Sequence, residues 1–262
     1  MTLSNIPVRI RNDRRKMSYF HDVRGASYGT HVLAHVPASQ HAIYRNRKGT
    51  LSQNVLAGCG LDMYLFYVCP AREGSADDAW VLENGEQNRF PREEGAIYLA
   101  DAGYGLRKGF LTPYRTVQYH LREQARAGLC PQTKEELWNL HHSQLRNVIE
   151  RIFGVLRRRF RILNTTPEYN LTIQAQLILV VCALHNFIGH RANGEEDGFY
   201  QGSNLPSQKD SESLHSEEEI QAASGLEQGS GQGSDIGEMV VDRERRATEM
   251  WIDYVKYHNS RM

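Results

Sequence analysis

Cysteine is scarce in this chain. Only Cys59, Cys69, Cys130 and Cys182 occur, widely spaced and without a CxxC pair. That pattern gives neither a zinc-ligand set nor a disulfide framework, and it reads as buried free thiols in a reducing compartment. Long apolar runs are also missing. The longest, Leu177 to Leu184, falls far short of the roughly 20 residues that span a bilayer. The opening MTLSNIPVRIRNDRRKM has charge but no apolar stretch behind it. Neither a secretory signal nor a membrane partner is expected. An excess of one charge is absent overall, with 31 Lys and Arg against 31 Asp and Glu. The balance conceals a segregation. Residues 1–190 carry 24 basic against 16 acidic side chains, whereas 191–238 carry 2 against 11. A basic body beside an acidic stretch suits a polyanion-binding domain.

What is present divides into four parts. Residues 1–20 are a polar, basic lead-in, and 21–190 hold the apolar periodicity of a folded domain. Residues 191–238, rich in Gly, Ser, Gln and Glu, have too little apolar area to fold, and 239–262 read as a C-terminal helix. Inside the body, Val23 to Pro70 is β-like. Leu51–Ala57 and Leu61–Cys69 flank Gly58-Cys59-Gly60, a hairpin signal, and the second run is apolar on both faces, as a strand buried between layers would be. Ser75 is placed to cap a helix through Leu82. Gly95 to Tyr104 reads as a strand ending in a tight turn, and Val117 to Arg126 as a helix. A long helix, starting at Lys134 or Ser143 and ending at Phe160, has apolar residues three and four apart from Leu145 onward. Thr172 to Ile188 is apolar nearly all round and is expected to be interior. Strands followed by helices in one unit indicate an α/β fold.

Two acidic residues have settings suited to chemistry. Asp101 ends a predicted strand among Ala100, Ala102 and Gly103, with room for an ion and a phosphate. Glu150 lies on the long helix beside Arg146, Asn147, Gly154 and Arg157, and the apolar stripe of that helix would press it towards the sheet. Converging carboxylates with basic neighbours are what metal-assisted phosphoryl transfer requires. A strand-end aspartate and a solvated helix glutamate would explain the same residues without catalysis. Arg157, Arg158, Arg159 and Arg161 could hold DNA phosphates without reading sequence, or form a solvated face. His141-His142 reads as a polar entry to the long helix in preference to a metal site. His185-Asn186 reads as a buried pair that pins its helix.

Several blocks resemble the catalytic domain of Harbinger-type DDE transposases and the nucleases derived from them. They are Tyr98-Leu-Ala-Asp101-Ala-Gly-Tyr104 with Leu111-Thr-Pro-Tyr-Arg115; His142-Ser-Gln-Leu-Arg-Asn-Val-Ile-Glu150-Arg-Ile-Phe-Gly154 with Arg159-Phe-Arg-Ile-Leu163; and Cys182-Ala-Leu-His-Asn-Phe-Ile188. Upstream, Tyr44-Arg-Asn-Arg-Lys-Gly49, Ser52-Gln-Asn-Val55 and Gly74-Ser-Ala-Asp-Asp78 fit in the same order. The resemblance implies a ribonuclease-H-like mixed sheet flanked by helices, with Mg2+ or Mn2+ bound by two aspartates and a glutamate. Asp101 matches the second aspartate and Glu150 the glutamate, both as metal ligands and catalytic residues. The first aspartate normally opens an Asp-Gly-Thr-His segment. Here the segment reads Tyr28-Gly29-Thr30-His31, a phenol where the carboxylate belongs, and Arg24 and Ser27 interrupt the usually apolar strand before it. Asp22, Asp62, Asp77 and Asp78 offer no convincing replacement.

Two functions are therefore expected to compete. In one, the chain is a metal- and DNA-binding DDE nuclease with impaired catalysis. In the other, it is a non-enzymatic, domesticated transposase acting as a nuclear DNA- or protein-binding module. Family members carry a helical DNA-binding segment ahead of the core. The short lead-in here predicts that sequence-specific recognition comes from a separate DNA-binding protein or has been lost, and the chain is expected in the nucleus or cytoplasm.

Overall fold

Nine successive uncharged residues, Ser52–Gly60, form a strand in which every residue is buried. The computed structural model describes residues 18–76, 90–91, 95–115, 117, 130–191 and 233–260. Most of the lead-in, the helix expected after Ser75, the one expected from Val117 to Arg126, and most of the acidic stretch lie outside those residues. Strands β1 (Val23–Leu33), β2 (Ser52–Gly60), β3 (Leu65–Glu73), β4 (Ile97–Leu99) and β5 (Phe110–Leu111) form one sheet in the order β3-β2-β1-β4-β5. The β1–β2 and β2–β3 pairs are antiparallel, and β1–β4 and β4–β5 are parallel. This is an α/β architecture with a mixed sheet, consistent with the ribonuclease-H-like layout.

The hairpin differs from its expected form. Gly58, Cys59 and Gly60 belong to β2, and the turn falls at residues 61–64, where Met63 adopts a positive φ of 67°. Gly58 is used for close packing, because a Cβ there would meet the Phe66 ring at 2.7 Å. A glycine inside an apolar run signals close approach as readily as a turn. The strand buried on both faces is β2. β3 is a half-buried edge strand, and its Pro70 sits where the β2 register shifts between Asn54 and Leu56. An edge tolerates a residue without an N–H. The segment from Val23 to Pro70 is not continuously β either, since a 3-10 turn at Ala38–Gln40 and a single helical turn, α1 (His41–Tyr44), interrupt it.

Helix α2 (Lys134–Arg159) takes the earlier of its two expected starts. Thr133 caps it by accepting from Glu136 N at 3.2 Å, and Glu136 reaches back to accept from Gln132 N at 2.7 Å. These bonds satisfy donors that an uncapped first turn would leave open. Its stripe of Leu145, Val148, Ile149, Ile152, Phe153 and Leu156 is buried against the sheet face that carries Val23, Ala26, Tyr28, Val32, Val55, Ala57 and Cys59. Each such side chain contributes about 1.5–3 kcal/mol on burial. The opposite face carries Leu56, Tyr98 and Phe110 packed with Phe90 and Tyr104.

Helix α3 (Leu171–Arg191) lies against β3. It is not interior, as its composition suggested. Ile178, Val181, Cys182 and His185 are buried, but Ile173, Leu179, Val180, Leu184 and Phe187 are exposed. An edge strand offers only one surface, so only one side of the helix is covered. Helix α4 (Gly233–Asn259) begins six residues before the expected Met239 and packs on α2.

Candidate active site

Asp101 lies two residues beyond the end of β4. Its Oδ1 accepts from Ala102 N at 2.6 Å and caps a 3-10 turn, Ala102–Tyr104, that Gly105 ends with a φ of +68°. Arg115 steadies the same turn by donating to Ala102 O at 3.0 and 2.6 Å. The small residues and glycine read in the sequence thus place a carboxylate just beyond the sheet.

Tyr28 lies beside it. The parallel pairing of β1 and β4 matches Gly25 with Tyr98 and Ala26 with Leu99. Two residues further, the same register sets Tyr28 next to Asp101. The extra residue in this pairing is Arg24, at a bulge between Val23 and Gly25. The Tyr28 ring is 6% exposed and packs against Phe153 at 6.1 Å between centroids. Burial, then the Glu150 charge, push its hydroxyl well above the ordinary tyrosine range, while Arg146 works the other way. The phenol is neutral at pH 7.

Glu150 approaches from α2, and Arg146, one turn earlier, joins the two carboxylates. Arg146 Nη2 lies 2.7 Å from Glu150 Oε1, and Nη1 lies 3.7 Å from Asp101 Oδ2. The guanidinium carbon sits 5.8 Å from the Tyr28 ring centroid. Burial opposes the Arg146 charge, but Asp101 and then Glu150 raise its pKa further, so it stays protonated. The structure therefore gathers Asp101, Glu150 and Tyr28 around one guanidinium. In the sequence Arg146 stands out only as a polar neighbour of Glu150. Its spacing of four from Glu150 was a readable signal, whereas its contact with Asp101 depends on tertiary packing.

This set suits two metal ions poorly. Two ions require a ligand that bridges them, and a buried neutral phenol supplies no charge for that purpose. Arg146 already engages an oxygen of Glu150. Among the described residues, no group of three His, Cys, Asp or Glu side chains is arranged to hold a metal.

The remaining candidates are placed as follows. Asp22, at the start of β1, pairs with Arg246 of α4. Asp62 accepts from Tyr64 N in the hairpin turn at 3.3 Å. Asp77 and Asp78 lie outside the described residues. His142 is buried within α2 and bonded to Leu111 O at 3.0 Å, and burial pushes its pKa down to about 4. His185 Nε2 donates to Met63 O at 3.2 Å, and Asn186 bonds both Leu65 N and Leu65 O at 3.0 and 2.7 Å. The pair thus fastens α3 to the β2–β3 hairpin. Arg157 turns inward to Thr30 Oγ1 and His31 O at 2.9 and 3.1 Å. Arg158, Arg159 and Arg161 are exposed.

Comparison with known proteins gives a consistent picture. The family model described as DDE superfamily endonuclease matches residues 27–186. The curated protein named "Putative nuclease HARBI1" of Bos taurus is 30% identical over 163 residues, 60% of this chain and 43% of the relative. The Homo sapiens protein of that name gives the same figures, and the Mus musculus protein is 30% identical over 173 residues, 63% of this chain and 45% of its own. The chain thus spans less than half the length of these relatives. No solved structure matches it at a significant level.

Proposed function

The chain belongs to the DDE superfamily endonucleases, and from that premise we propose that it is a transposase-derived, Harbinger-type nuclease domain that binds DNA but scarcely cuts it. The observation that carries this reading is Tyr28, buried beside Asp101 on the neighbouring parallel strand. Metal-assisted hydrolysis needs ions that activate water and stabilise the leaving oxygen. With a phenol at the first-carboxylate position, Asp101 and Glu150 alone would hold at most one Mg2+ or Mn2+ ion, weakly, with waters completing its shell. What survives is a nuclease fold with exposed arginines. Arg158, Arg159 and Arg161 would contact phosphates, while Arg157 helps seat α2 on β1. Such a module would work in the nucleus.

Binding is tested by fluorescence anisotropy on a duplex of arbitrary sequence across a salt series. Each phosphate neutralised steepens the plot of log affinity against log salt by about 0.9. Replacing Arg158, Arg159 and Arg161 together by Ala should flatten the slope by about two to three units. A slope unchanged by the triple substitution would move the DNA surface elsewhere, and salt-insensitive or absent binding would remove DNA as the ligand.

A further inference from the structure

We propose that the Arg146 guanidinium is a built-in cation that occupies the space between Asp101 and Glu150 and keeps divalent metal out of the site. The proposal rests on the reading of this cleft as a DDE site and adds a residue that sets its metal affinity.

Three observations converge on it. First, both carboxylates are already engaged by this one side chain, at 2.7 Å for Glu150 and 3.7 Å for Asp101. Second, Arg146 Nη1 is buried and makes no hydrogen bond among the described residues, so charge draws that end of the fork towards Asp101. An arginine that sought only its hydrogen bonds would do better in water. Third, the Tyr28 ring and Arg146 lie close together, which limits where the guanidinium can go if an ion displaces it. Helix geometry alone does not explain the pair, because Arg four residues before Glu is the less favourable order along an α-helix. A cation trapped between two carboxylates competes with a divalent ion for the same oxygens. An entering ion must displace the guanidinium from both carboxylates, with the Tyr28 ring beside it.

The test is Mn2+ binding to the full chain at pH 7.5, followed by the electron paramagnetic resonance signal of free Mn2+. Arg146→Gln should bind Mn2+ at least tenfold more tightly than the unmodified protein. Arg146→Lys, which keeps a cation, should stay within threefold of unmodified. Adding Glu150→Gln to Arg146→Gln should erase the gain. Equal or weaker binding by Arg146→Gln, or a gain that survives Glu150→Gln, would overturn the proposal. Should Arg146→Gln fail to fold, Arg146→Met takes its place in the same titration: a gain of at least tenfold over the unmodified protein upholds the proposal, and no gain overturns it. The outcome separates from that of the function proposed above. DNA nicking by the unmodified protein would sink the reading of scarce cleavage even if the Arg146→Gln gain appeared. A missing gain without nicking would sink only the role of Arg146.

Discussion

Replacing Arg246 by Ala should release α4 and cost the fold a large share of its stability. Arg246 is 4% exposed. Its guanidinium donates to Asp22 at 2.6 and 2.5 Å, to Asp242 at 2.8 Å and to Tyr19 O at 2.7 Å. Removing one partner of a buried ion pair costs about 3–5 kcal/mol, because the other charge is left without its compensation. The Asp22 side chain is 27% exposed and can recover some hydration, so we expect the lower end, about 3 kcal/mol. At the scale of this chain, that lowers Tm by roughly 6–12 °C. A pH series gives an independent check. Burial of Asp22 opposes its charge, but the Arg246 hydrogen bonds and charge prevail and hold its carboxyl below the ordinary range. A depressed carboxyl contributes stability above its unfolded pKa, about 3.9, and loses it as pH falls through the folded value. The gap between unmodified and Arg246→Ala proteins should therefore be widest near neutrality and close in acid. Arg246→Met with Asp22→Asn should be more stable than Arg246→Met alone, since no charge is then stranded. Circular dichroism melts of the full chain measure all of these. A loss below about 1 kcal/mol, typical of exposed ion pairs, or a gap independent of pH, would refute a buried clamp between α4 and β1.

Three further substitutions probe the scaffold. Asn186→Ala removes both hydrogen bonds to Leu65 and should cost about 1–3 kcal/mol in urea unfolding, with faster amide exchange along β3; unchanged stability would mean the motif does not pin the hairpin. Gly25→Ala would set a Cβ 2.0 Å from the Cys59 carbonyl oxygen and should abolish soluble folded protein. Gly154→Ala, which meets nothing within 4 Å on α2, should instead stabilise by about 0.5–1 kcal/mol in the same melts; equal effects of the two would contradict the packing described.

Much of this molecule is legible before folding, and what is not has physical causes. The α2 stripe could be read because its buried residues recur at helical spacing. Its start was ambiguous because Lys134 to Leu140 is mostly polar, and only the Thr133 cap decides it. Glycines misled the reading of the hairpin, since Gly58 serves an aromatic ring across the strands and not a turn. Composition alone could not say which side of α3 is covered, because coverage depends on β3 being an edge. Asp101 was visible from its small neighbours, and Glu150 from its place on the polar side of α2. The Arg146 contact with Asp101 and the clasp between Asp22 and Arg246 join residues far apart in sequence, and local pattern has no access to them.

The most direct measurement is a supercoiled-plasmid nicking assay with Mg2+ and Mn2+, comparing unmodified, Asp101→Ala and Tyr28→Asp proteins. A phenol at the first-carboxylate position predicts no nicking by the unmodified chain above the level of Asp101→Ala, and nicking by Tyr28→Asp. Metal-dependent nicking by the unmodified protein that disappears in Asp101→Ala would contradict it.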